Sequence, residues 1–296
     1  KDIQALMQLI FYTAAAGRKV VVSSATISPV LCRAFFHQYK LGYDCYRQIH
    51  PKASNSIYTA WINDEKDLCH FKNLSTDEDI IGEYKGQTSE VFTNGIKALK
   101  AKPIRRKLDF IDISDCRPKN NLDDKHIEEA YSNISEKISQ NIDILHSCYH
   151  ATKDGKNLSV GIVRMTYTKH AYQVFNNLFD IDSQIGAKRL YVFYQSKLED
   201  ENLENVEYVL NKMLKRKSKL PEDDPIWQHE GIQKLIKENP NTYDFQIIVV
   251  STPIEEVGRD HDFDWGIVEP TSIWSIIQMA GRIFRHRPYL ELRAGD

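Results

Sequence analysis

The chain has 296 residues, of which 42% are hydrophobic, 27% charged and 10% aromatic, with 13 Gly and 10 Pro. That length suits two compact domains or one large α/β unit, and the composition excludes disordered, collagen-like and low-complexity classes. Its 39 basic and 41 acidic side chains give a formal charge of -2, so a nucleic-acid partner must be met by a local basic groove, not by a uniform field.

Five cysteines, at positions 32, 45, 69, 116 and 148, form no CxxC pair and no metal-finger spacing. No apolar run reaches the roughly 18 residues of a membrane span. Both features point to reduced thiols in a cytoplasmic protein without membrane contact. Residue 1 is Lys, not Met, and the chain is expected to be a piece of a longer one.

Residues 3–16 have amphipathic helical spacing. Ala14-Ala15-Ala16 mimics the end of a signal peptide, but Asp2 and Gln4 precede the run and a strand-like segment follows it, which favours a helix. Gly17 is a natural C-cap, and the β-branched run 19–23 reads as a buried parallel strand. Ser28-Pro29 opens a second helix as N-cap and first residue, passing Phe35 and Phe36 and ending near Tyr39 or Tyr46. A short strand is expected at 56–62. From Asn63 to Arg106 the periodicity weakens and reads as a linker or insertion. The expected division is therefore 1–85, a linker at 86–104, and 105–296.

Residues 108–113 suit the first strand of the second unit, and 124–150 carry helix-spaced Ile and Leu. Strands at 158–165, 189–194, 246–251 and 265–269 then alternate with helices at 169–179, 199–216, 227–237 and 272–285. Repeated βα units predict an α/β fold with a parallel sheet covered by helices and ligands at the carboxyl ends of its strands.

Three strand ends carry candidate chemistry. In Ser23-Ser24-Ala25-Thr26 the small hydroxyls can bond a phosphate or acidic groups, or simply cap the next helix. In the run from Ser251 to Trp265, Thr252 offers a hydroxyl and an amide to a phosphate, Gly258 permits a tight turn, and Asp260 suits ribose hydroxyls. Asp260, His261 and Asp262 do not form a metal site, because neighbours on extended backbone point to opposite faces. In Gln278-Met279-Ala280-Gly281-Arg282-Ile283-Phe284-Arg285, Arg282 and Arg285 are expected on one helical face with Gln278 a turn earlier. Gly281 costs about 1 kcal/mol within a helix, which the approach of another backbone or a ligand would offset. Two guanidiniums so spaced suit a triphosphate.

In this order the three segments resemble motifs III, V and VI of superfamily 2 helicases. Ser24-Ala25-Thr26 matches SAT, Ser251 to Asp260 matches TxxxxxGxD, and Gln278 to Arg285 matches QxxGRxxR. The finer wording from Thr252 to Trp265, followed by Gln278 to His286, resembles the CRISPR-associated helicase and nuclease of type I systems, subtype I-F. That resemblance implies paired RecA-like domains with parallel sheets and helices on both faces, binding ATP and Mg2+ in their cleft and single-stranded DNA across their top. This chain would hold the end of the first domain and most of the second. It implies DNA contacts for Thr252 and for Ser196, a nucleotide edge lined by Gly258 and Asp260, and phosphates faced by Gln278, Arg282 and Arg285. Arg285 would be the arginine finger and Arg282 a ground-state clamp, while Ser24 and Thr26 couple hydrolysis to movement. A guide-RNA-loaded surveillance complex and adaptation proteins are the implied partners.

The chain also departs from the pattern. It contains no GxxxxGK[ST], so the ATP site would be completed by residues beyond it, and the piece alone is expected to be inactive. Asp64-Glu65-Lys66-Asp67 fits a DExD box but follows the SAT segment where the order requires it to precede, and reads as a loop coincidence. The His and Asp cluster of a metal-dependent nuclease is missing, and the nuclease metal is expected outside this chain. Gln195 stands where His is usual.

The cluster Lys97, Lys100, Lys102, Arg105, Arg106, Lys107 and the run Lys212, Lys215, Arg216, Lys217, Lys219 are candidate phosphate-tracking surfaces or plain solvated faces. Tyr167, Tyr191, Tyr194 and Trp265 are candidates for base stacking or core packing. The expected function is part of an ATP-dependent single-stranded DNA translocase in CRISPR interference. The alternatives are a non-hydrolysing RecA-like partner-binding module and an RNA helicase of the same superfamily.

Overall fold

The computed structural model describes residues 2–24, 27–63, 69–76, 78–104, 106–117, 124–196, 198–218, 220–256 and 259–287. The chain divides into two compact units, Lys1–Pro103 and Ile104–Asp296.

The first unit contains α1 (Asp2–Ala15), α2 (Pro29–Ile49), an antiparallel hairpin of β1 (Ser56–Trp61) and β2 (His70–Ser75), and α3 (Ile80–Lys100). Gly17 closes α1 at φ 68°, its N–H on the Ala14 carbonyl at 2.9 Å and that of Arg18 on Thr13 at 3.0 Å. Ser28 caps α2 by accepting the Leu31 N–H at 3.2 Å, with Pro29 in the first turn. Helices α1 and α2 pack closely at Gly42, where a Cβ would overlap the Phe11 carbonyl. Phe36, Ile57, Leu74 and Ile80 form the core, and the Phe36 ring stacks on Tyr84 with centroids 3.9 Å apart.

Two expectations for this unit are corrected. Residues 20–22 form no strand, and Val21 is 90% exposed. A β-branched run becomes an internal strand only beside neighbouring strands, and β1 and β2 are the only strands among the described residues of this unit. The linker expected at 86–104 is mostly helix. Asp79 caps α3 by accepting the Gly82 N–H at 3.0 Å, Glu83 lies in its first turn, and Lys97 and Lys100 lie in its last. Only Ile80 and Thr88 of α3 are buried, so its apolar stripe is too thin to show as periodicity. The acidic run 64–67 lies outside the described residues.

The second unit follows the βα rhythm. Helix α4 (Asp124–Cys148) precedes β3 (Ala151–Lys153), β4 (Lys156–Arg164), α5 (Thr168–Phe179), β5 (Lys188–Tyr194) and α6 (Asp200–Leu214). Then come α7 (Glu230–Glu238), β6 (Asp244–Ser251), β7 (Trp265–Val268) and α8 (Ile273–Ala280). Strands β5, β6, β4 and β7 are parallel neighbours in that order, and β3 runs antiparallel to the start of β4.

Alternation along the sheet divides the core between its faces. Leu158, Val160, Ile162, Ile247 and Val249 pack with Leu210 and Leu214 of α6, Ile232 of α7 and Met279 of α8. Val163, Ile248 and Val250 pack with Ile138 and Ile142 of α4 and Ala171, Val174 and Leu178 of α5. Helices therefore cover both faces, as RecA-like sheets require. Gly161 admits the Trp265 indole against β4, where any Cβ would overlap the ring. That indole donates to Ser159 Oγ at 3.0 Å.

One further reading changes here. Residues 108–113 form no strand, with Leu108 and Phe110 exposed. Tyr194 and Trp265 are buried, so they pack the core and do not stack on bases, whereas Tyr167 is exposed. Tyr191 is half-buried and donates its hydroxyl to the Leu178 carbonyl at 2.7 Å.

Candidate nucleotide and nucleic-acid site

Parallel β5, β6, β4 and β7 bring their carboxyl ends to one edge. Ser196 is exposed just beyond β5. Thr252, just beyond β6, is only 5% exposed and extends the sheet by donating its N–H to the Tyr194 carbonyl at 3.3 Å. Arg164, unnoticed in the sequence, ends β4 as a buried crosslink. Its Nη1 donates to the Glu269 carbonyl at 2.8 Å and to Thr166 Oγ1 at 3.2 Å, and its Nη2 pairs with Glu256. Glu269 in turn accepts the Thr166 N–H at 2.6 Å. The ends of β4 and β7 and the turn after β6 are thus tied together.

Helix α8 starts at a reciprocal cap between Ser272 and Ser275 and stops at Ala280, with Gly281 as its C-cap. The expectation that Arg282 and Arg285 share a helical face is therefore corrected. Beyond Gly281 the chain leaves the helix and runs beside residues 262–264. The Phe263 N–H donates to the Arg282 carbonyl at 2.9 Å, and the Phe284 N–H to the Phe263 carbonyl at 3.0 Å. Phe284 takes φ 43°, a left-handed conformation that costs a bulky residue of order 1–3 kcal/mol and persists only where its surroundings enforce it.

The two arginines differ in environment. Arg282 is 6% exposed; its Nη2 donates to the Glu256 carbonyl at 3.3 Å, and its Nη1 is buried without a hydrogen-bond partner among the described residues. Burial pulls this guanidinium below its ordinary pKa, with the Glu255 charge opposing. An unpaired N–H on a buried cation is costly, and an anionic oxygen is the group that would satisfy it best. Arg285 is more open, with its side chain 37% exposed; its Nε lies 3.4 Å from Asp260 Oδ1 and its Nη1 donates to the Arg259 carbonyl at 3.2 Å. Asp260 also accepts from His286 Nε2 at 2.7 Å, and this bond, outweighing burial, holds its carboxyl below the usual range.

Asp260, Arg282 and Arg285 therefore come together in the second unit, with Gln278 half-buried on the last turn of α8. Ser24 is exposed in the first unit. Gly258 and Thr26 lie outside the described residues.

Sequence reasoning missed an ionic cluster beneath these groups. Arg287 is buried; it donates from Nε and Nη2 to the two oxygens of Asp262 at 3.1 and 2.7 Å, and from Nη1 to Asp264. Asp264 also accepts from Arg216 Nη1 at 2.8 Å and from the Val160 N–H at 2.7 Å, while Arg216 Nε donates to Asp224 at 2.7 Å. Three carboxylates face two guanidiniums, and the surplus negative charge is met by the N–H groups of Val160, Ile226, Arg285 and His286. Burial pushes the Asp264 carboxyl up, but Arg216 and Arg287 outweigh it and hold the group below its ordinary value. Burial likewise lowers Arg287, and Asp264 and Asp262 outweigh it, so its guanidinium is raised.

This cluster corrects part of the basic surface. Arg216 is fully buried in ion pairs, not facing solvent, and Arg106 donates to the Ile283 carbonyl at 2.7 Å. Lys212, Lys215 and Lys217 remain exposed; Arg105 and Lys219 lie outside the described residues. The three residues considered for a metal diverge. Asp260 turns to Arg285 and His286, His261 pairs with Glu255 at 2.6 Å, and Asp262 turns to Arg287. Among the described residues no group of three or more His, Cys, Asp or Glu could hold a metal ion. No described helix is long and apolar enough to cross a membrane, and all five cysteines are free.

A parallel sheet covered on both faces by helices gives the second unit a RecA-like α/β fold. Its resemblance is specifically to Cas3. Residues 157–288 match the family described as CRISPR-associated nuclease/helicase Cas3, C-terminal. Over 290 residues the chain is 31% identical to the CRISPR-associated nuclease/helicase Cas3 subtype I-F/YPEST of Pectobacterium atrosepticum, covering 97% of this chain and 25% of that relative. The protein of the same description from Pseudomonas aeruginosa is 25% identical, with the same coverage of 97% and 25%. Among solved structures, T. fusca Cas3-ATP superimposes with a TM-score of 0.51 at 14% identity, covering 96% of this chain and 26% of that one. T. fusca Cas3-AMPPNP gives 0.52 at 14% identity, covering 96% and 25%. These likenesses to solved structures show the fold. The chain spans about a quarter of the length of the curated relatives it matches.

Proposed function

We propose that this chain is the C-terminal helicase part of an ATP-dependent single-stranded DNA translocase, whose longer parent unwinds foreign DNA in CRISPR interference and degrades it through a nuclease domain. In this reading Lys1–Pro103 is the end of a first RecA-like domain and Ile104–Asp296 is the second. The observation that carries it is the arginine pair: among the described residues Arg282 has a buried Nη1 without a hydrogen-bond partner, and the Arg285 side chain makes exposed contacts that an anion can replace. These groups fit the phosphates of a nucleotide, and two similar solved structures are described as Cas3 with ATP and with AMPPNP. Arg285 is the finger and Arg282 the clamp, with Asp260, Gln278 and Gly258 at the nucleotide edge. ATP bound with Mg2+ supplies the free energy for movement; the phosphate-cradling loop would lie outside these residues.

Ser196 and Thr252 contact DNA in this reading. The exposed Ser196 suits side-chain contact, and the buried Thr252 limits contact to a phosphate at the strand end. Ser24 and Thr26 couple hydrolysis to movement. A guide-RNA-loaded surveillance complex and adaptation proteins are the partners, in a cytoplasmic setting.

Phosphate release by the full-length protein tests the reading. Single-stranded DNA is expected to stimulate it and RNA of the same length to do so far less, while the 296-residue chain alone releases none. Equal or stronger stimulation by RNA would favour an RNA helicase. No hydrolysis by the full-length protein would favour the non-hydrolysing partner-binding module, which the lack of a GxxxxGK[ST] in this chain also suits.

A further inference from the structure

Helix α8 ends at Ala280, so it cannot orient Arg285, and something else must. The described contacts identify it. Asp262 accepts the backbone N–H of Arg285 on Oδ1 at 3.0 Å and that of His286 on Oδ2 at 3.1 Å. The same two oxygens receive Arg287 Nη2 and Nε. A carboxylate at 0% side-chain exposure is costly to bury without a partner, and Arg287 is the guanidinium that forks onto both of its oxygens.

Arg287 also reaches the Phe263 carbonyl with Nη2 at 3.0 Å, forks to Asp264 with Nη1, and lies over the Phe284 ring at 4.7 Å. It thus meets both the Phe263 carbonyl, which accepts the Phe284 N–H, and the ring of Phe284, the left-handed residue between the two candidate phosphate ligands. No nucleotide-facing role falls to Arg287 itself, since its side chain is fully enclosed.

We propose that Arg287 is a positioning residue: acting through Asp262 and the ring of Phe284, it fixes the backbone of residues 282–286 against the sheet and so sets where the Arg282 and Arg285 guanidiniums stand. The proposal rests on the ATPase reading for its catalytic consequence, but its structural half stands without it. Lysine cannot replace Arg287, because a point charge on a flexible stem cannot fork to Asp262 and Asp264 together.

The test uses Arg287→Lys in the full-length protein, with Arg189→Lys as control. Arg189 holds a comparable buried pair with Asp143 at 2.8 Å near the amino end of β5, away from the site. Two readouts are taken, amide hydrogen exchange and single-stranded-DNA-stimulated ATP turnover. For Arg287→Lys, exchange at the Arg285 and His286 amides is expected to rise about tenfold or more while that of Ile277 and Met279 in α8 is unchanged. The kcat is expected to fall about tenfold to a hundredfold, as misplacement by an ångström does, with KM for ATP within about threefold. Arg189→Lys is expected to lower thermal stability to a similar degree without that loss of kcat.

Unchanged exchange at Arg285 and His286, or an equal loss of kcat in the control, would overturn the proposal. Should Arg287→Lys fail to fold, Asp262→Asn carries the same expectations, because it breaks the same link from the acceptor side. If the wild-type protein hydrolyses no ATP, the functional reading falls, and the exchange pattern alone decides whether Arg287 holds the segment.

Discussion

Arg285→Ala in the full-length protein is expected to lower DNA-stimulated ATP turnover by about a thousandfold to a hundred-thousandfold, the range an arginine finger commands in phosphoryl transfer, and to leave DNA binding within a few fold. The structure separates this loss from a folding defect. The Arg285 side chain is 37% exposed, its ion pair with Asp260 is 3.4 Å long, and its other side-chain hydrogen bond among the described residues goes to the Arg259 carbonyl. Exposed pairs of this kind contribute about 0–1 kcal/mol, so the variant should unfold within a few degrees of the wild type. The backbone N–H of residue 285, which Asp262 holds, survives the substitution. Normal turnover by a folded Arg285→Ala protein would remove the finger assignment, and a matched loss at Arg282 alone would transfer it there.

The second large effect concerns stability. Asp264→Ala removes the carboxylate that Arg216, Arg287 and the Val160 N–H share, at 1% exposure. The Nη1 groups of both guanidiniums and the Val160 N–H then lose their shared acceptor in the interior, and breaking a buried pair from one side costs about 3–5 kcal/mol. The denaturant midpoint should fall accordingly, with the cooperativity of the transition retained.

The sign of the pH dependence follows from the depressed Asp264 carboxyl. Unfolded, the group titrates near about 4, and folded it titrates lower. Its contribution is therefore complete above about pH 4 and is lost as the pH falls through the folded value. Asp264→Asn should flatten that acid limb while leaving the slope between about pH 5 and 8 unchanged. A midpoint within experimental error of the wild type for Asp264→Ala would mean that the cluster adds nothing to folding.

The second unit was largely legible because its strands are buried on both faces. Runs such as Gln246-Ile247-Ile248-Val249-Val250 read as parallel strands, and the turn residues between them mark the ends. The first unit was less so. Residues 20–22 carry the same β-branched signal but have no described strand to pair with, and α3 buries too little apolar surface to show a period. Local spacing reports what a segment could bury, and only the neighbouring elements decide whether it does.

The site divides in the same way. Arg282 and Arg285 stood out because their type and spacing suit a triphosphate, and Asp260 because it suits ribose hydroxyls; the pairing of Asp260 with Arg285 was not legible. The helix expected to carry both arginines ends before either, since a Gly within a periodic run reads as tolerated and here is a stop. Arg164 and Arg287 were missed, and Arg216 was read as part of a basic surface, because a buried arginine and a solvated one look alike in sequence. The available signal was the pairing of Asp262 and Asp264 with the basic run Arg285-His286-Arg287, which becomes meaningful only once the Phe263–Ile283 bridge brings the segments together.

The most direct test is the structure of the full-length protein with a non-hydrolysable ATP analogue and single-stranded DNA. The account predicts the Arg285 guanidinium released from Asp260 and within about 3 Å of a terminal phosphate oxygen, with Arg282 Nη1 on the same triphosphate. A bound nucleotide with Arg285 still on Asp260 and Arg282 Nη1 still without an anionic partner would contradict it.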